Sequence, residues 1–174
     1  MLMCVALNAA AQDFPTKAIR IIVPFAPGAA TDMLARATAQ RFTEAWSQPA
    51  IVENRTGASG ITATQFVARA PSDGYTLLMA TASTHTLLPH LFKAPGYDAL
   101  RDFAPVALSA WVPNVLTVHP SLPVYGVREF IAFARARPGQ LFFSSSGTGT
   151  TLHLAGELFK SMAKAAILNL KLGA

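Results

Sequence analysis

Apolar runs of strand character alternate along this chain with stretches of helical spacing. Residues 19–23 (IRIIV) are β-rich and stop at Pro24. Residues 31–46 read as a helix whose apolar stripe is Leu34, Thr38, Phe42 and Trp46, each four apart, with Thr31 or Asp32 as its N-cap. Residues 51–53 form a short strand. Ala63, Phe66, Val67 and Ala70 mark a second helix closed by Pro71, and Ser72-Asp73-Gly74 is a turn. Residues 75–80 read as a third buried strand. Residues 103–109 and 114–118 predict two more strands, split by Pro113. Val127, Phe130, Ile131 and Ala134 mark a helix ended by Pro138-Gly139. Residues 141–144 predict a strand, and Leu152, Ala155, Phe159 and Met162 mark the last helix.

The βαβα alternation predicts an α/β protein with doubly wound parallel sheets. Residues 95–125 break the rhythm and read as the passage between two domains. The expected division is a first domain over residues 12–107 and the start of a second over 108–163. Neither an internal repeat nor a low-complexity tract is present.

Composition narrows the class. Hydrophobic residues make up 52% and charged residues 13%, which excludes disorder. So apolar a chain is either membrane-spanning or lacks part of its core. The longest uncharged run lies between Asp102 and Arg128, but Pro105, Pro113, Pro120 and Pro123 prevent one continuous helix. The N-terminus, MLMCVALNAAA, is apolar and ends in small residues. Ala9-x-Ala11 fits a signal-peptidase pattern, so residues 1–11 are expected to be a clipped signal peptide, with cleavage before Gln12; as no Lys or Arg precedes this short stretch, the alternative is a plain N-terminal strand. Cys4, the one cysteine, falls inside it. The net charge of +5 comes from scattered Lys and Arg without a basic run, which argues against nucleic acid as a partner.

In doubly wound sheets, ligands bind on loops that leave the carboxyl ends of strands. Three such loops are rich in small residues, hydroxyls and backbone amides. The first is Pro24, Phe25, Ala26, Pro27, Gly28, Ala29, Ala30, Thr31 and Asp32. The second is Thr81, Ala82, Ser83, Thr84 and His85. The third runs from Ser144 through Ser145, Ser146, Gly147, Thr148, Gly149 and Thr150 to Thr151. The first and third open onto helix N-termini, which favour anions. None contains Lys or Arg, so an anion there would be held by amides, hydroxyls and water.

Enzyme signatures are poor. Ser146-Gly-Thr-Gly is neither a nucleophile elbow nor a Walker loop, and Leu152 stands where a dinucleotide fingerprint needs its third glycine. His85, His90, His119 and His153 lack metal-ligand spacing. Ser146 and His153, seven apart, are the one pairing a hydrolase could use. Asp32 is read as a cap before a catalyst. The expectation is no catalytic residue, no metal and no cofactor.

The stretches FPTKAIRIIVPFAPGAATDMLAR, QPAIVENRTGASGITATQFVARAPSDGYTLLMATASTH, YDALRDFAPVALSAWVPNVLTVHPSLPV and SSSGTGTTLHLAGELFKSMA resemble the extracytoplasmic receptors of tripartite tricarboxylate transporters, the Bug receptors. Together they cover nearly all of residues 13–163. The resemblance implies a type II periplasmic-binding-protein fold, with two α/β domains closing on one small ligand. It also implies a periplasmic location and membrane transporter subunits as partners. The implied ligand is a di- or tricarboxylate, amino acid or aromatic acid, bound through backbone amides and bridging waters. The implied contacts come from Phe25, Pro27, Gly28, Ala29, Ala30, Thr31 and Asp32; from Thr81, Ser83 and His85; and from Ser145, Ser146, Gly147, Thr148, Gly149 and Thr150.

Two departures stand out. The family carries two glycines before Ala-Thr-Asp in the first loop, whereas Ala29 follows Gly28 here. Residues 164–174 (KAAILNLKLGA) do not follow the family pattern and predict a truncated second domain. The competing readings are an inactive fragment and a doubly wound hydrolase.

Overall fold

The structure, a computed structural model, describes residues 14–170. The expected signal peptide with its cleavage before Gln12, and residues 171–174, lie outside them.

Among the described residues, five strands form two parallel sheets. β1 (Ile19–Val23) lies between β2 (Ala50–Asn54) and β3 (Thr76–Leu78), with Ile21 opposite Val52 on one side and Leu77 on the other. Ile19, Ile21, Ile22 and Val23 are all buried, as a central strand covered on both faces requires. The long helix α1 (Ala30–Trp46) covers one face, where Ala35 and Ala39 pack against Ile19, Ile21 and Val23. The shorter α2 (Ile61–Ala68) packs against β1 and β3.

The contact face of α1 is displaced from the expected stripe. Asp32, Ala35 and Ala39 are its buried positions, Phe42 packs at the margin, and Trp46 is exposed. Small alanines let the helix approach the sheet closely, so larger side chains move to its edges. The helix starts one residue before the predicted position, and Ala29, not Thr31 or Asp32, is its N-cap.

β4 (Leu141–Ser144) and β5 (Ile167–Leu170) form the second sheet, with Leu141 opposite Ile167. A short helix α3 (Leu88–Leu91) precedes the long irregular stretch, which leads to α4 (Val127–Arg135). The helix α5 (Thr151–Ala163) joins β4 to β5. Phe130, Ala134, Ala163, Ala165 and Ile167 form the core around this sheet, with Phe130 and Phe159 stacked at 5.8 Å. The inward face of α5 follows Gly156, Phe159 and Ala163; Leu152 and Met162, placed inside by spacing, are exposed. Residues 167–170, expected to lie in a departing tail, build β5 instead. Lys164 turns the chain into it with φ 48, and Gly139 N–H bonds the Ala166 carbonyl at 2.8 Å.

The two strands expected at 103–109 and 114–118 are absent. Those residues pair with no described strand, and Val106, Leu108, Trp111 and Val115 are all exposed. An apolar run becomes a strand only when another strand supplies its ladder, and these residues form no ladder with a described strand. Among the described residues no helix is long and apolar enough to cross a membrane.

Candidate functional site

β1 and β3 are adjacent and parallel, so the first two candidate loops leave the same edge of one sheet. The third loop leaves β4 in the other sheet.

The first loop is held from the neighbouring strand. Asn54, the last residue of β2, donates its side-chain amide to the Phe25 carbonyl (3.0 Å) and to Asp32 Oδ1 (2.9 Å). Asp32 Oδ2 accepts the Gly28 N–H and Arg36 Nε, each at 2.9 Å. Gly28 stands at φ +83, a left-handed turn that favours glycine. Asp32 is 2% exposed. The Arg36 guanidinium, then the Gly28 and Asn54 amides, hold its carboxyl down at about 2. Asp32 is thus the internal tie of the loop, with both oxygens engaged. Thr31 is half-buried, whereas Pro27, Gly28 and Ala30 are exposed. The N-terminus of α1 has no side-chain cap.

The second loop is not a loop. Ser83–Leu87 is a turn of π-helix that runs directly into α3. Thr81 and Thr84 cap it reciprocally: Thr84 Oγ1 accepts the Thr81 N–H at 3.1 Å, and Thr81 Oγ1 accepts the Thr84 N–H at 3.3 Å. Tyr97 donates its hydroxyl to the Thr84 carbonyl. His85 packs edge-on against Phe103 at 4.7 Å, and burial lowers its pKa, which favours the neutral ring.

The third loop largely satisfies its own helix. Thr150, 1% exposed, caps α5 by accepting the His153 N–H (3.4 Å) and donates to the Gly147 carbonyl (2.7 Å). His153 Nδ1 accepts the Gly149 N–H at 3.3 Å, and Ser83 Oγ accepts the Thr151 N–H at 3.1 Å. The two helix N-termini therefore differ: that of α5 is capped from within and from across, and that of α1 is open. Ser145 and Gly147 are half-buried, and Ser146 and Thr148 are exposed. Among the described residues no hydrogen bond joins Ser146 to His153, whose Nε2 instead lies 3.9 Å from Glu157.

The second and third loops are joined directly, by Ser83 and Thr151. The first and third are linked through a fourth segment that sequence reasoning missed: Gly57, Ala58, Ser59 and Gly60. Ser59 donates to the Thr148 carbonyl at 2.7 Å, and Gly60 packs between Pro24 and Thr84. Its small, glycine-rich character between a strand and a helix is the signal that marked the other three. Asn54 was missed as well, because a residue that bonds a loop from a neighbouring element leaves no local pattern, whereas the Asp32–Arg36 pair, four apart on α1, was open to reading from its spacing.

Parallel strand ends carrying amide- and hydroxyl-rich loops are an arrangement this chain shares with solved periplasmic binding proteins of the α/β class. Residues 34–170 match the tripartite tricarboxylate transporter family receptor, and the chain belongs to that family. It is 40% identical over 162 residues to a UPF0065 protein of Bordetella pertussis, covering 92% of this chain and 49% of that protein. It is 37% identical to the protein BugT of the same organism, over 94% of this chain and 50% of BugT. Among solved structures it matches R. palustris Rpa4515 with adipate at TM-score 0.88 and 43% identity, over 91% of this chain and 53% of that one. MatC of Rhodopseudomonas palustris with bound malate matches at TM-score 0.82 and 30% identity, over 90% and 53%. The chain spans about half the length of the curated relatives it matches. The match to residue 170 takes in most of the segment expected to depart from the family pattern.

Proposed function

We propose that this chain provides the ligand-gripping loops of an extracytoplasmic receptor that captures a small carboxylate for a tripartite secondary transporter, without catalysis of its own. The observation that carries this reading is the handling of charge. The open N-terminus of α1 offers backbone amides beside Thr31, and the nearby cation Arg36 is already paired with Asp32. Such a site suits a carboxylate held by N–H and O–H donors, since hydrogen bonds to a charged group contribute about 1.5–3 kcal/mol each. Three or four of them support micromolar affinity after the costs of ordering. The solved relatives bound to adipate and malate support a dicarboxylate as ligand. Periplasmic export and delivery to membrane transporter subunits belong to the same reading.

Titration calorimetry with adipate, malate and a neutral diamide of the same length tests it. Saturable heat with a dicarboxylate and none with the diamide is expected. Equal affinity for the neutral analogue would refute anion capture.

A further inference from the structure

Ala58 and Ser59 stand at φ +46 and +57, between Gly57 at +126 and Gly60 at +103. Side chains adopt such left-handed backbone at a cost, and it persists only where surrounding contacts over-determine it. The contacts can be named. A Cβ on Gly60 would come within 3.0 Å of Pro24 Cβ and of Thr84 Cγ2, so this backbone is wedged between the first and second loops. On its other side, Ser59 Oγ donates to the Thr148 carbonyl at 2.7 Å, joining residues 89 positions apart. A Cβ on Gly147 would lie 2.9 Å from the same oxygen, so the third loop approaches Ser59 where a larger residue has no room.

We propose that Ser59 is a positioning residue of the site: its hydroxyl ties the strained segment after β2 to the loop before α5 and fixes the spacing between the two sheets' loops. Its left-handed backbone aims the hydroxyl across the gap, and Thr148 offers a backbone acceptor that changes at its own side chain do not remove. The role does not depend on which ligand the site takes, or on whether it takes one.

Amide hydrogen exchange of the 174-residue chain, read by mass spectrometry without ligand, tests it on Ser59→Gly and Ser59→Ala. Both remove the hydroxyl. Glycine also relieves the left-handed strain, so a merely local role for Ser59 predicts that Ser59→Gly leaves exchange unchanged or slower everywhere. The expected result is that peptides spanning residues 147–154 exchange about threefold to tenfold faster in Ser59→Gly, the loss of one hydrogen bond, while β1, β2 and β3 keep their rates. Unchanged exchange at 147–154 overturns the proposal. So does loss of protection throughout the chain, which would make Ser59 a residue of the fold as a whole. Should Ser59→Ala fail to fold, Ser59→Gly decides alone.

Discussion

Ser83 accepts the backbone N–H of Thr151 at 3.1 Å, across 68 residues of chain and between the two sheets. Ser83 is 4% exposed, so its hydroxyl is a structural acceptor before it can serve any ligand. Ser83→Ala leaves the first N–H of α5 without that partner. The expected loss is about 1–3 kcal/mol in urea unfolding of the ligand-free protein. An unchanged midpoint would show that water replaces the hydroxyl at no cost.

Thr31 lies half-buried in the first turn of α1, whose start has no side-chain cap, and in the proposed site its hydroxyl adds to the amide donors. Thr31→Ala is expected to weaken adipate binding by several-fold up to about a hundredfold. Arg55→Ala is expected to be silent, because its guanidinium stacks 3.6 Å over Phe66 and pairs with Glu53. Arg36→Ala should weaken binding about threefold, since it frees one of the bonds that hold Asp32 and the loop. Calorimetry on the three variants gives the order. Abolished binding in Arg55→Ala alone would reverse it.

The Asp32 carboxyl lies at about 2 in the folded chain, against an ordinary value of 3.8. Its folded pKa is depressed, so its contribution is complete above the unfolded value and is lost as the pH falls from 3.8 through about 2. Asp32→Asn should remove that part of the acid sensitivity, read as unfolding midpoint against pH. It should also lower stability at neutral pH, where Arg36 loses its partner. Identical pH profiles for the two proteins would refute the assignment.

Gly156 faces the ring of Phe143, and a Cβ there overlaps ring carbons. Gly156→Ala gains helix propensity but drives α5 off β4. Overpacking of this kind costs about 1–3 kcal/mol, more than the roughly 1 kcal/mol that alanine gains over glycine in a helix. A lower thermal midpoint is therefore expected, and a higher one would show that Phe143 rotates freely away.

Residues 103–118 present Val106, Leu108 and Trp111 to solvent, at 81%, 84% and 89% exposure. The chain should bind a hydrophobic dye strongly and associate at high concentration. Trp111→Ser should reduce dye binding while shifting stability by less than about 0.5 kcal/mol, as a surface position does. A large loss of stability would show that Trp111 is packed.

Periodicity located β1, β4, α1, α2, α4 and α5, because each carries its pattern locally. It placed Phe42 and Phe159 against the cores but missed the small residues at the centre of the contact faces of α1 and α5. Spacing counts hydrophobic residues, while the closest approach falls to Ala35, Ala39 and Gly156. The runs at 103–118 read as strands and are not, since a strand is a property of two segments. The loops themselves were visible as glycine and hydroxyl clusters. What was not visible was their internal satisfaction: Thr150 capping its own helix, Asp32 engaged by three donors, and the π-turn at Ser83. Those bonds depend on which atoms meet, and residue type alone leaves that open.

The reach of Asn54 sets a rule for how the first loop can diversify. One amide from the end of β2 bonds both the loop's entry, at the Phe25 carbonyl, and its exit, at Asp32. Mutational drift at either end is therefore constrained from a strand that never enters the loop. Substitutions at Asp32 and Asn54 should appear as matched exchanges in homologues, with donor and acceptor trading places or lost together. The exposed positions between Phe25 and Asp32, Pro27 and Ala30 among them, have no such tie to β2 through their side chains and are free to vary.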